Sequence, residues 1–313
     1  MPRSLFFVLL LLSLIWGGSY YFIKLLIHDF GPWTIAFLRS SLGLVVITTI
    51  MLISGKPFEL RKIPWVPMAV MALINTSIPW AFIGFSETRI PSGMAAVLNA
   101  TTPLWALVIG MLFFKTKANR YQWIGMAFAI IGLIVLLDLN PASIISVDLI
   151  GFICMIVASL FYAIGAQLSK RLSQKLSMYQ ITFGTLLCCM VGSGSVAFST
   201  EPIPFQHLFS LPDLLAWIGL GAFGSGIAYI LFYYIVQKGS PEFATMVTYL
   251  IPATSIMWGY TLLNEKIHLS LVIGLLLILC GVFLASRKNS QKEKIKHQND
   301  KKADVSSPLK ILP

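Results

Sequence analysis

Apolar residues run along this chain in stretches of about twenty, separated by short segments that hold nearly all of its charge. A helix of about 20 apolar residues spans the hydrocarbon core of a bilayer. Ten such stretches stand out, at residues 5–27, 33–54, 65–86, 93–114, 119–137, 149–169, 179–198, 214–236, 243–263 and 269–286. Each predicts a membrane-spanning helix. Residues 5–16, followed by Gly17-Gly18-Ser19, have the outline of a signal peptide. The apolar run resumes at once through residues 20–27, which predicts a retained first span.

Prolines and glycines recur along these stretches. At an offset of 149 residues Pro103 falls on Pro252, Gly110 on Gly259, Lys117 on Lys266, Gly125 on Gly274 and Gly132 on Gly281. Proline and glycine fix backbone geometry, so their recurrence says more than shared apolarity. Trp16-Gly17 with Lys24 likewise parallels Tyr162-Ala163 with Lys170, at an offset of 146. The chain therefore divides into a first unit (1–138), a second unit (139–286) and a Lys-rich tail (287–313) that is expected to be disordered and cytoplasmic. Five spans per unit is an odd number, so the second unit enters the membrane from the opposite face. The fold class expected is all-α integral membrane, with ten transmembrane helices as two inverted-topology five-helix repeats.

Composition agrees. The 313 residues are 57% hydrophobic and 11% charged, with a mean hydropathy of +0.82, against about 25% charged in soluble domains. A net charge of +11 raises the question of nucleic acid. The positions of the charges answer it. Arg3, Lys56, Arg61, Lys62, Lys115, Lys117, Arg120, Lys170, Arg171, Lys175 and Lys238 fall in loops on one side, and only Arg89 and Lys266 on the other. Lys/Arg bias of this kind places the rich side in the cytoplasm. Both termini are expected there, in a multi-pass plasma (bacterial inner) membrane protein, and no nucleic-acid partner is expected. Cys154, Cys188, Cys189 and Cys280 lie in apolar runs and read as small buried hydrophobes.

Candidate chemistry lies in the polar residues at membrane depth, where an unpaired group costs several kcal/mol. Asn75 with Thr76 and Ser77 precedes Pro79-Trp80; Asn99 and Thr102 precede Pro103; Thr248 and Tyr249 precede Pro252. Proline frees a backbone carbonyl and bends a helix. Pro103 and Pro252 are candidate hinges, with a packing kink as the alternative. Trp16, Tyr20 and Lys24 share one helical face, Tyr229 and Tyr233 another, and Tyr162 occupies the place of Trp16 in the second unit. These aromatics, with Trp80, either line a solute cavity or belong to lipid-facing belts. Lys24 reads first as a side chain snorkelling to the headgroups. Arg39, about seven residues inside its span, needs carbonyls, a carboxylate or water; helix packing is its first reading and capture of a solute carboxylate the second. Glu87 and Glu265 sit at span ends, and all four histidines lie in loops or the tail. Neither a proton relay nor the site of an intramembrane enzyme follows from that pattern, and no metal or cofactor is expected.

Several of these residues together resemble the ten-span EamA-type members of the drug/metabolite transporter superfamily. They are Trp16-Gly17-Gly18-Ser19 with Lys24, Phe37-Leu38-Arg39, Pro103, Gln122-Trp123-Ile124-Gly125 with Gly132, and Pro252, Glu265 and Gly274. The resemblance covers residues 5–286. It implies a basket of helices around a central cavity, alternating access, and export or exchange of small metabolites, amino acids or amphiphilic drugs. The partners implied are the lipid bilayer and a small-molecule solute, with the protein a monomer or homodimer. One departure is Thr116, which stands nine residues before Gly125 where the family commonly has Glu; Glu265 keeps that place before Gly274. The alternatives are a nucleotide-sugar or other organic-anion carrier of the same superfamily, for which only Arg39 and Lys24 offer embedded charge, and a non-transporting membrane subunit.

Overall fold

The computed structural model describes residues 3–114, 119–136, 148–173, 175–204, 206–208, 210–238 and 247–286. Among these residues the regular structure is helical: α1 (Arg3–Leu26), α2 (Pro32–Ile53), α3 (Trp65–Glu87), α4 (92–114), α5 (Arg120–Leu136), α6 (Leu149–Ser173), α7 (Met178–Thr200), α8 (211–238), α9 (Val247–Leu263) and α10 (Leu269–Ser286). Seven of them, α1 to α4 and α6 to α8, are long and apolar enough to cross a membrane. The helices α5, α9 and α10 are shorter. Large apolar side chains stand exposed on the outside of the bundle, among them Phe7, Val66, Phe113 and Leu269. Lipid, not water, tolerates such a surface. The tail, the loop holding Lys115, Thr116 and Lys117, and the beginning of the expected ninth span lie outside the described residues.

The helices start where the sequence supplies a cap. Pro32 opens α2 after Gly31, and proline suits the first turn because its missing N–H has no intrahelical partner there. The next two N–H groups, of Trp33 and Thr34, donate to the Glu201 carboxylate at 3.0 and 2.8 Å, and the Thr34 hydroxyl donates to it at 2.8 Å. Glu201 follows α7, so one carboxylate ties the end of α7 to the positive end of the α2 dipole. Ser177 and Gln180 form a capping box at the start of α7, and Gln180 Nε2 donates to Glu59 at 2.9 Å. Asp148 caps α6 and meets Arg89 at 2.8 Å. The Arg89 hydrogen bond, helped by the Gly151 N–H, holds the Asp148 carboxyl below the usual range. That contact is therefore intact at neutral pH and fades only as pH falls into the acid range. Glu201→Ala removes three charge-assisted hydrogen bonds, and a loss of about 2 kcal/mol is expected. A lowered melting temperature in detergent checks it.

Helix pairing follows a regular scheme. The helix α1 packs on α8 and α9, and α6 packs on α3 and α4. The helix α2 meets α7 and α8, α7 meets α2 and α3, and α5 meets α10 in the most extensive contact. The α5–α10 pair rests on the recurring glycines. A methyl group on Gly281 would come within 2.5 Å of the Gly125 carbonyl oxygen, and one on Gly132 within 2.9 Å of the Gly274 carbonyl oxygen. Two helices leave α-geometry. Leu73–Ser77 in α3 and Ile218–Ile227 in α8 are π-helical, a form that widens the helix and is common at functional sites. The first packs on α6 and α7, the second on α1 and α2.

Candidate functional site

Arg39 lies on the buried side of α2, with 5% of its surface exposed. Its guanidinium carbon is 3.7 Å from the centroid of the Trp80 ring on α3, and its Nε donates to the Ser225 hydroxyl at 3.2 Å, in the π-helical part of α8. Tyr162, Tyr229, Cys189 and Tyr20, from α6, α8, α7 and α1, lie within electrostatic reach of the same charge. Among the described residues no carboxylate forms an ion pair with it. Depth alone calls for carbonyls, a carboxylate or water as partners; the structure supplies an indole face and a hydroxyl. A desolvated cation on an aromatic face is stabilised by about 2 kcal/mol.

Two further groups of residues adjoin this centre. The Trp16 indole donates to the Gly224 carbonyl at 3.2 Å and packs against Tyr229 and Phe232, with ring centroids 6.2 and 5.6 Å away. The neighbouring Gly17 and Gly18 let α9 approach, so that Thr254 and Trp258 donate to the carbonyls of Ser13 and Leu14 at 2.8 and 3.2 Å. On the other side, Asn99 Nδ2 donates to the Tyr20 hydroxyl at 2.8 Å. The Thr102 hydroxyl donates to the Asn99 carbonyl at 2.7 Å, and the Ser159 hydroxyl reaches Asn99 Oδ1 at 3.5 Å. This network forms where α4 breaks: its first part ends at Asn99 and its second begins at Thr102.

The structure thus brings Trp16, Tyr20, Trp80, Asn99, Thr102, Tyr162 and Tyr229 into one region around Arg39. Asn75 lies in the π-segment of α3, against Gly165 of α6. Thr248 and Tyr249 lie half-buried on the first turn of α9. The Tyr233 side chain lies outside the described residues. The two hinge prolines differ. The chain leaves helical form ahead of Pro103, whereas Pro252 is inside a continuous α9. Thr101 and Thr102 hydroxyls satisfy the carbonyls of Leu98 and Asn99, so the break in α4 costs no hydrogen bonds there. Ser225, Ser159 and Phe232 belong to the site and carry no signal in the sequence, although the glycine run Gly219, Gly221, Gly224 and Gly226 marks the segment around Ser225.

The charged residues at the span ends form a second cluster. Lys24 does not reach outward to headgroups; its ammonium turns in and donates to the carbonyls of Glu87 and Ile90, the latter at 3.0 Å. The carbonyl of Glu87, the last residue of α3, has no intrahelical partner and sits at the negative end of the dipole, and together with the Ile90 carbonyl in the turn that follows it draws a cation. Glu265 accepts from the N–H groups of Ser92 and Gly93 at 2.8 and 3.2 Å, capping α4 from the loop before α10. Lys24 and Glu265 thereby grip the two sides of the turn between α3 and α4. Glu87, at the end of α3, is fully buried.

Chemically, a fixed positive charge among hydroxyls and aromatic faces suits recognition of a solute, because it offers an anion a partner and an apolar ring a surface. Comparison with known proteins agrees. The model of the EamA-like transporter family matches residues 3–138 and 149–287. The chain is 24% identical to the uncharacterized transporter YoaV of Bacillus subtilis (strain 168) over 277 residues, covering 87% of this chain and 93% of that protein. It is 28% identical to the uncharacterized inner membrane transporter YedA of Escherichia coli (strain K12) over 267 residues, 84% of each. It is 27% identical to the protein PagO of Salmonella typhimurium over 289 residues, 88% of this chain and 93% of that protein. One solved crystal structure, 17% identical, overlaps 91% of this chain and 98% of its own with a TM-score of 0.64, a likeness of fold. Family and relatives point to a multi-pass membrane transporter and not to an enzyme. The chain belongs to the EamA-like transporter family.

Proposed function

We propose that this protein is a secondary transporter that exports or exchanges small carboxylate-bearing metabolites, amino acids among them, by alternating access at the Arg39 site. The observation that carries this reading is Arg39 itself: a buried guanidinium, free of any ion pair among the described residues, stacked on Trp80 and within electrostatic reach of Tyr162, Tyr229 and Tyr20. Removing such a charge from water is costly unless it serves a partner, and a solute carboxylate is a matching one. The aromatic faces favour amphiphilic or aromatic solutes.

Alternating access needs two interconvertible arrangements, which inverted repeats supply. The ten-span, inverted-repeat reading is supported by the pairing scheme. Exchanging each of α1 to α5 with its counterpart in α6 to α10 turns the α1–α9 contact into α6–α4, α1–α8 into α6–α3, and α2–α8 into α7–α3. The π-segments of α3 and α8 are also counterparts. The units are then 1–138 and 139–286, with both termini in the cytoplasm and the membrane the bacterial inner membrane. The same Arg39 keeps an organic-anion carrier in view as a second reading.

The test is uptake of labelled amino acids by purified protein in liposomes, comparing wild type with Trp16→Ala and Asn99→Ala. Trp16→Ala removes the Gly224 hydrogen bond and two ring contacts, and Asn99→Ala the side-chain bonds to Tyr20 and Ser159; a loss of about 1–2 kcal/mol in each gives an expected five- to thirtyfold fall in flux at equal protein content. Unchanged flux in both would take Trp16 and Asn99 out of the solute path.

A further inference from the structure

We propose that Glu87 is the proton-binding carboxyl of this protein, exchanging its proton as the Lys24–Glu265 grip around it loosens and closes; the inference rests on the transport reading above. Glu87 is 0% exposed, and neither of its carboxyl oxygens has a hydrogen-bond partner among the described residues. A bare carboxylate in such a place is strongly disfavoured, so it needs a positive species on it.

The charged and titratable groups that face it from the packed elements do not fill that role. Lys24 of α1 gives hydrogen bonds to the backbone carbonyls of Glu87 and Ile90, and Arg39 of α2 is engaged by Trp80 and Ser225. Neither forms an ion pair with the Glu87 carboxyl. The Glu265 carboxyl is already engaged by the N–H groups of Ser92 and Gly93, and Tyr20 of α1 lies within electrostatic reach. At the ends of the adjoining helices, Asp148 is taken up by Arg89 and Glu201 by the start of α2. A metal cation would need a shell of oxygen ligands and would meet an ammonium and a guanidinium instead. A proton needs one oxygen.

Two features suit exchange. A surface cleft lined by Pro91, Gly93, Tyr260, Glu265, Lys266 and His268 gives solvent a route to the Glu265 side of the cluster. On the other side, Tyr20 lies within electrostatic reach of Glu87 and is bonded to Asn99 in the solute network. A solute that displaces the Tyr20–Asn99 contact changes the surroundings of the Glu87 carboxyl. Loading with solute and loading with a proton are coupled in this way.

Two readouts on Glu87→Gln test the inference. Infrared difference spectra of the purified protein between acid and alkaline buffer are expected to show the carbonyl stretch of a protonated carboxylic acid in wild type and to lose that band in Glu87→Gln. Glu87→Asp, which keeps the carboxyl, retains a band at a shifted pH midpoint. In proteoliposomes, a pH difference of one unit is expected to drive about tenfold accumulation of labelled amino acid for one proton per solute. Glu87→Gln loses that accumulation but still exchanges solute for solute. A band unaltered in Glu87→Gln, accumulation that survives in it, or accumulation driven by sodium and not by pH overturns the proposal. The infrared band does not depend on flux, so a wild type that shows the band and moves no solute refutes the transport reading and leaves the proton site standing.

Discussion

Arg39→Gln is expected to lower solute flux roughly thirtyfold in reconstituted vesicles, because it removes about 2 kcal/mol of stacking on Trp80 and the charge that would meet a solute carboxylate. Glutamine keeps much of the length and a donor for Ser225, so the helices stay together and the loss falls on transport. Arg39→Lys is expected to recover little. Lysine retains the charge but not the planar face that lies 3.7 Å from the indole ring. Initial rates below saturation, normalised to protein content, are the measurement. Wild-type rates in Arg39→Gln would mean that this residue only packs helices.

The second large effect concerns stability. Gly281→Ala places a methyl group within 2.5 Å of the Gly125 carbonyl oxygen and 2.8 Å of the Ala129 nitrogen. Both are backbone atoms of α5, so no side chain can move aside, and the helices must separate. Overpacking of this kind costs about 1–3 kcal/mol. A melting temperature lowered by several degrees is expected, with reduced yield of folded protein in detergent. Gly55 provides the control: a methyl group there meets nothing within 4 Å, but its φ of +61° would strain alanine alone. The helix pair and a turn are thereby separated by experiment.

Much of the fold is legible in the chain. The apolar run at 33–54 became α2 at Pro32–Ile53, and that at 65–86 became α3 at Trp65–Glu87, because length and hydropathy dictate helices in lipid. The recurring glycines reported a real close approach between α5 and α10. Other features are not local and cannot be read that way. The Arg39–Trp80 stack joins residues on two helices, and the Glu201 cap of α2 spans 167 residues of sequence to Thr34. Lys24 shows how depth misleads: three residues from a span end suggests snorkelling, whereas the carbonyls of Glu87 and Ile90, at and just beyond the end of α3, draw it inward. Pro103 and Pro252 recur at an offset of 149 residues, but only Pro103 adjoins a break in its helix, where the Thr101 and Thr102 hydroxyls take up the carbonyls of Leu98 and Asn99. Glu87 sits at a helix end in the sequence and in the protein interior in three dimensions.

The central claim is that a solute carboxylate is recognised at Arg39 and carried across. Counterflow tests it most directly. Vesicles preloaded with an unlabelled aromatic amino acid are expected to accumulate the labelled compound transiently above its external level, and its decarboxylated amine is expected neither to compete nor to exchange. Counterflow of the amine with none of the acid would contradict the account.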